Sequence, residues 1–102
     1  MEIKYKKHEQ TLLFYFYGEL DEYSASKTKN ILDTLIESNL NCEKVIFDLS
    51  GVTFMDSTGI GLLIGRYKKL KHFNIPTYIQ NASISTEKVI EIAGLYKIMP
   101  KI

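Results

Sequence analysis

The sequence holds a single cysteine, Cys42, two prolines, two histidines and no tryptophan among its 102 residues. One cysteine forbids an intramolecular disulfide and suits a reducing compartment. One cysteine and two distant histidines cannot supply the ligands of a zinc site, so no metal and no cofactor is expected. An excess of one charge is also missing. Thirteen Lys and Arg against twelve Asp and Glu leave a formal charge of +1, which gives no reason to expect direct contact with nucleic acid. No apolar run approaches the ~20 residues of a membrane span. The opening MEIKYKKHEQTLLFYFYG has a basic start and an apolar run, like a signal peptide. That run is short, alternates like a strand, and meets Gly18-Glu19-Leu20-Asp21 in place of a small-residue cleavage site. The chain is therefore expected to be cytoplasmic, with neither membrane nor nucleic acid as partner.

What is present is ordinary for a globular protein: 45% hydrophobic and 25% charged residues. The length suits one domain, residues 1–102, with a core that buries about two-thirds of the unfolded surface. Residues 2–7 and 11–17 read as strands, the second rich in aromatics and central, joined as a hairpin over His8-Glu9-Gln10. Ala25, Thr28, Ile31, Leu32, Leu35 and Ile36 fall at helical spacing within 24–39, with Asp21 and Glu22 placed where acids suit a helix start. A buried strand is expected at 44–49, a helix at 57–73, a strand at 77–80 and a helix at 85–93 stopped by Gly94. The tail KIMPKI reads as a final edge strand limited by Pro100. Strands alternating with helices after the first pair give an α/β fold with a largely parallel sheet.

The stretch Phe54-Met55-Asp56-Ser57-Thr58-Gly59-Ile60-Gly61-Leu62-Leu63-Ile64-Gly65-Arg66-Tyr67-Lys68 carries the most chemistry per residue. It lacks the Lys and hydroxyl that follow the last glycine of a P-loop, and its glycines run G-x-G-x-x-x-G where a dinucleotide fingerprint needs G-x-G-x-x-G. Ser57 as a nucleophile would need a base. His72 lies about 22 Å along a continuous helix, at ~1.5 Å per residue, and His8 sits in an expected surface turn. Asp48 could serve as a phospho-acceptor only with a cation held by further carboxylates; its plainer role is to accept hydrogen bonds at a strand end. The basic run from Arg66 to His72 reads as cations complementing a helix C-terminus.

At roughly 100° per residue, the helix from Ser57 has two sides. Ile60, Leu63, Ile64, Tyr67 and Leu70 form the packing side; Thr58, Gly61, Leu62, Gly65 and Lys69 fall opposite. Each interior glycine costs about 1 kcal/mol against alanine, a cost without return on a solvent face. Either a neighbour packs closely on Gly61 and Gly65, or they form a bare docking strip with Leu62 as outward anchor. Asp56 is placed to cap this helix, with Ser57 at its head, where a phosphate would be tolerated by the helix dipole.

Three stretches resemble a known family. Asp48 to Asn74, DLSGVTFMDSTGIGLLIGRYKKLKHFN, is similar to the signature of the STAS-domain anti-sigma factor antagonists, and most closely to those acting in sporulation. GELDEYSA (Gly18 to Ala25) and AGLYKIMP (Ala93 to Pro100) resemble two further motifs, so the resemblance spans nearly the whole chain. It implies a single layer of mostly parallel mixed sheet, about four or five strands, packed with about three helices. It implies no enzyme activity of the chain's own. Such a protein binds an anti-sigma factor serine kinase carrying nucleotide, frees the sigma factor for transcription, and lets go once the kinase has phosphorylated it, here at Ser57. A serine phosphatase restores it. The implied partner-binding residues are Asp21, Asp56, Ser57, Thr58, Gly59, Gly61, Leu62 and Gly65. Thr58, Glu22 and Tyr23 depart from the family pattern, and relatives usually continue into a further C-terminal helix. A small nucleotide-binding or phosphotransfer domain using the 48–61 loop remains the alternative.

Overall fold

The computed structural model describes residues 1–102. Strand β1 (Glu2–His8) and strand β2 (Thr11–Leu20) pair antiparallel through a tight turn at Glu9 and Gln10, with Glu9 at φ 56°. Helix α1 (Glu22–Glu37), strand β3 (Lys44–Met55), helix α2 (Ser57–His72), strand β4 (Thr77–Gln80) and helix α3 (Ile84–Ile92) follow. A 3₁₀ turn, Leu95–Lys97, begins after Gly94, whose φ of 74° ends α3 as a left-handed stop. The strand order is β1-β2-β3-β4, with β2, β3 and β4 parallel. The mixed four-strand sheet with three helices is the architecture expected from the sequence. No further helix follows, and no helix is long and apolar enough to cross a membrane.

Each parallel step moves one place along the sheet in the same direction. Right-handed crossovers therefore put α1 and α2 on a common face. The side chains agree. Leu12, Phe14 and Phe16 of β2, Val45, Phe47 and Leu49 of β3, and Ile79 of β4 are fully buried in one core with Leu32, Leu63, Leu70, Ile90 and Met99. Phe47 lies between Phe14 (6.0 Å, tilted) and Phe16 (5.6 Å, edge-on), which adds roughly 0.5–1.5 kcal/mol per aromatic pair beyond area burial. Leu13, Tyr15 and Tyr78, half-buried, alternate onto the other face with Ile46, which is buried but stands outside that core.

Three expectations need correction. Strand β3 runs to Met55, six residues past the expected end, because Val52 and Met55 continue to bury inward opposite Gly18 and Leu20. Asp48 therefore lies inside a strand, beside a bulge where Tyr15↔Asp48 gives way to Tyr17↔Gly51. The tail forms no edge strand: one parallel bridge, Ile79 to Lys101, is all that pairs beyond β4.

Candidate functional site

The parallel strands β2 and β3 end side by side and lead directly into α1 and α2, which places two helix starts together at one rim of the sheet. At the end of β2, Asp21 caps α1: its Oδ1 accepts from the N–H groups of Tyr23 and Ser24 (both 3.0 Å), and its own N–H donates to Ser24 Oγ at 3.1 Å. At the end of β3, Asp56 caps α2 as expected, accepting from the N–H groups of Thr58 (2.9 Å) and Gly59 (3.1 Å). At the end of β4, Ser83 caps α3. Such caps contribute about 1 kcal/mol each. The first two loops are tied together, since Asp56 N–H donates to the Leu20 carbonyl at 3.4 Å. Asp21 and Asp56 thus perform the same local task side by side.

Ser57 and Thr58 are exposed on the first turn of α2. Gly59 faces inward, and a Cβ there would stand 2.5 Å from the Leu20 carbonyl oxygen, closer than any real contact allows. Its glycine is required by the approach of β2 to α2, not by a phosphate. Gly61 and Gly65 differ: a Cβ on either would meet nothing within 4 Å. No neighbouring side chain packs on them, and they leave a bare strip, Gly61 exposed and Gly65 half-buried.

Leu62 is not part of its exposed surface. It is 7% exposed and belongs to the core, because at its position the helix turns toward α1, while Gly61 beside it stays exposed. The buried arc of α2 is rotated accordingly: Leu62 and Arg66 are inside, whereas Ile64 and Tyr67 are only half-buried. Arg66 Nε lies 2.9 Å from Asp33 Oδ1 of α1, an ion pair whose N–H is not aligned as a hydrogen bond. Lys69 lies 3.6 Å from the same oxygen and also pairs with Glu37. A groove remains between the helices, about 340 Å³, with Gly61, Thr58, Ala25 and Lys29 along its walls and Leu62 at its floor. The ion-paired seam was missed in the sequence; an arginine one turn after a buried leucine was its only signal.

Asp48 accepts from Ser50 Oγ (2.6 Å), Ser50 N–H (3.0 Å), Gln80 Nε2 (2.9 Å) and Asn81 Nδ2 (2.9 Å). Burial pushes its pKa up, but those hydrogen bonds outweigh it and hold the carboxyl below its ordinary value. Every face of that carboxylate is spoken for by the fold. The 48–61 region is strand and helix, not a loop. His8 ends β1 and His72 ends α2, both at the opposite end of the molecule from Ser57.

The STAS domain family profile matches residues 2–102. The chain belongs to the STAS domain family. An anti-sigma F factor antagonist of Paenibacillus polymyxa is 28% identical over 100 residues, spanning 98% of this chain and 85% of that protein. The structure of the anti-sigma factor antagonist SpoIIAA in its unphosphorylated form superposes with a TM-score of 0.81 at 25% identity, covering 99% of this chain and 88% of SpoIIAA. The phosphorylated form of SpoIIAA, the Bacillus cell fate determinant, gives 0.72 at 25% identity over 99% of this chain and 91% of that one. The STAS fold expected from the three sequence motifs is thereby established for this chain.

Proposed function

We propose that this STAS domain is an anti-sigma factor antagonist. It binds an anti-sigma factor serine kinase carrying nucleotide, frees the sigma factor for transcription, and is released when the kinase phosphorylates Ser57. A serine phosphatase returns it to the binding form, and the cycle runs in the cytoplasm. The observation that carries this reading is the exposed Ser57 at the head of a capped helix, continuous with the bare strip of Gly61 and Gly65. The names of its relatives, and the existence of SpoIIAA in both phosphorylation states, support the same reading.

The residues divide by task. Asp21 and Asp56 hold the two helix heads that frame the hydroxyl; Thr58, Gly61 and Gly65 offer the surface for close approach. Gly59 and Leu62 support that surface from beneath. A phosphate on Ser57 adds about −1.5 to −2 charge next to two carboxylates, at the edge of the contact, while the helix dipole keeps the fold intact. Binding would be lost without unfolding.

The test mixes the protein with the anti-sigma serine kinase of its own organism and Mg·ATP, followed by peptide mass spectrometry and titration. One phosphate on Ser57 and at least about tenfold weaker binding by Ser57→Asp are expected, a difference of about 1.4 kcal/mol. No phosphate on Ser57, together with equal binding by both proteins, overturns the proposal.

A further inference from the structure

Helices α1 and α2 run side by side in the same direction, and the seam between them has two unlike halves. Its far half is closed by charge: Asp33 and Glu37 of α1 meet Arg66 and Lys69 of α2. Its near half is the open groove of about 340 Å³. Thr58, the residue after Ser57, lines that groove, which therefore begins beside the Ser57 hydroxyl. Ser26 and Lys29 line it from α1, and Arg66 stands where the two halves join.

Two cations thus share one groove, and neither is fully used by the fold. Lys29 is exposed and forms no ion pair. Arg66 is 7% exposed; its Nε lies against Asp33, but none of its N–H groups makes an aligned hydrogen bond within the chain. Buried donors without an acceptor are rare in folded proteins, because leaving them unpaired is costly. Across the whole seam Lys29, Arg66 and Lys69 stand against Asp33 and Glu37, which leaves one positive charge over at the open end. The rest of the lining is apolar or bare: Ala25, Leu62 and Gly61, where a Cβ would meet nothing within 4 Å. A group that fits both parts has an apolar stem and an anionic head. Free phosphate would answer only the cations, whereas a glutamate side chain answers both, and a guanidinium fork matches a carboxylate in shape.

We infer that this groove receives a glutamate side chain of the anti-sigma serine kinase, its carboxylate held by Lys29 and Arg66 and its stem laid along Ala25, Gly61 and Leu62. The inference rests on the proposed function, since it names the chemistry by which the partner of that same surface is recognised. It also gives the contact a register. The rim at Ser57 is acidic through Asp21 and Asp56, while the groove is basic. A partner with cations over the rim and an acid over the groove docks in one orientation only. Gly61 is bare because any side chain there would take the space of the incoming stem.

The test uses the full chain and the same kinase with Mg·ADP, titrated with each variant in turn. Lys29→Glu is expected to weaken binding at least about tenfold with its thermal melt near that of wild type, since Lys29 is exposed and holds no partner. Lys88→Glu, the same change at an exposed site of α3, is the control and should stay within about twofold of wild type. Arg66→Gln can fail to fold, because it strips Asp33 of its closest partner, so the acid is assigned from the kinase side. Surface glutamates of the kinase are changed to lysine one at a time. One such change should weaken binding of the wild-type protein and restore binding of Lys29→Glu about tenfold. If the wild type binds but Lys29→Glu binds equally well, if Lys88→Glu is equally impaired, or if no glutamate-to-lysine change restores Lys29→Glu, this inference is overturned and the proposed function stands. Absence of any binding by the wild type overturns both.

Discussion

The Leu20 carbonyl oxygen lies 2.5 Å from where a Cβ on Gly59 would stand, so the end of β2 and the first turn of α2 touch backbone to backbone. This approach fixes the height of Ser57 relative to Asp21. Gly59→Ala forces a backbone atom to move, and overpacking of this kind costs roughly 1–3 kcal/mol. Urea denaturation should show a loss in that range. Partner affinity should fall as well, because the head of α2 is displaced.

Gly61→Ala and Gly65→Ala should do the reverse. With no atom within 4 Å, an added methyl meets only solvent, and alanine gains up to about 1 kcal/mol of helix stability at each site. If the strip is the docking surface, the more stable variants bind the kinase more weakly. Thermal melts and titrations on the same samples check both signs; a stabilised variant with unchanged affinity removes Gly61 or Gly65 from the docking surface.

Leu62 separates surface from support. As a core residue packed against α1, Leu62→Ala should cost about 2–3 kcal/mol, and Leu62→Glu should unfold the domain by burying a carboxylate. Circular dichroism melts distinguish this from an exposed anchor, for which either variant would leave the melt unchanged.

Asp48 gives a pH prediction. Its folded pKa lies below the unfolded value, so its contribution is present above about pH 3.9 and is lost as pH falls below that. In Asp48→Asn the new amide faces donors on Gln80 and Asn81, so the variant should be less stable at neutral pH. The gap in urea midpoint between the two proteins should narrow as pH drops from about 5 toward 3. A constant gap would show that the hydrogen bonds do not depend on the carboxyl's charge.

Period and punctuation made most of the fold legible. The 3.6-residue spacing in α1 and α2, the acids at their starts and Gly94 after α3 placed the helices to within a few residues. The length of β3 was hidden because the continuous apolar run stops at Leu49, whereas the strand passes through a bulge between Asp48 and Gly51 and continues to Met55. The side of α2 that holds Leu62 was misjudged for a different reason. Angular position on a helix says which residues share a face, but not which neighbour covers it, and α1 covers this one.

The Asp56 carboxylate is already committed to the N–H groups of Thr58 and Gly59, whatever the adjacent hydroxyl carries. On the proposed reading, a phosphate therefore arrives on scaffolding that is closed beforehand, as a mark on a rigid page and not as a lever. The memory such a protein holds lasts as long as one phosphoester bond. Its tempo is set by the enzymes that write and erase that bond, with no refolding delay between a stored state and its being read.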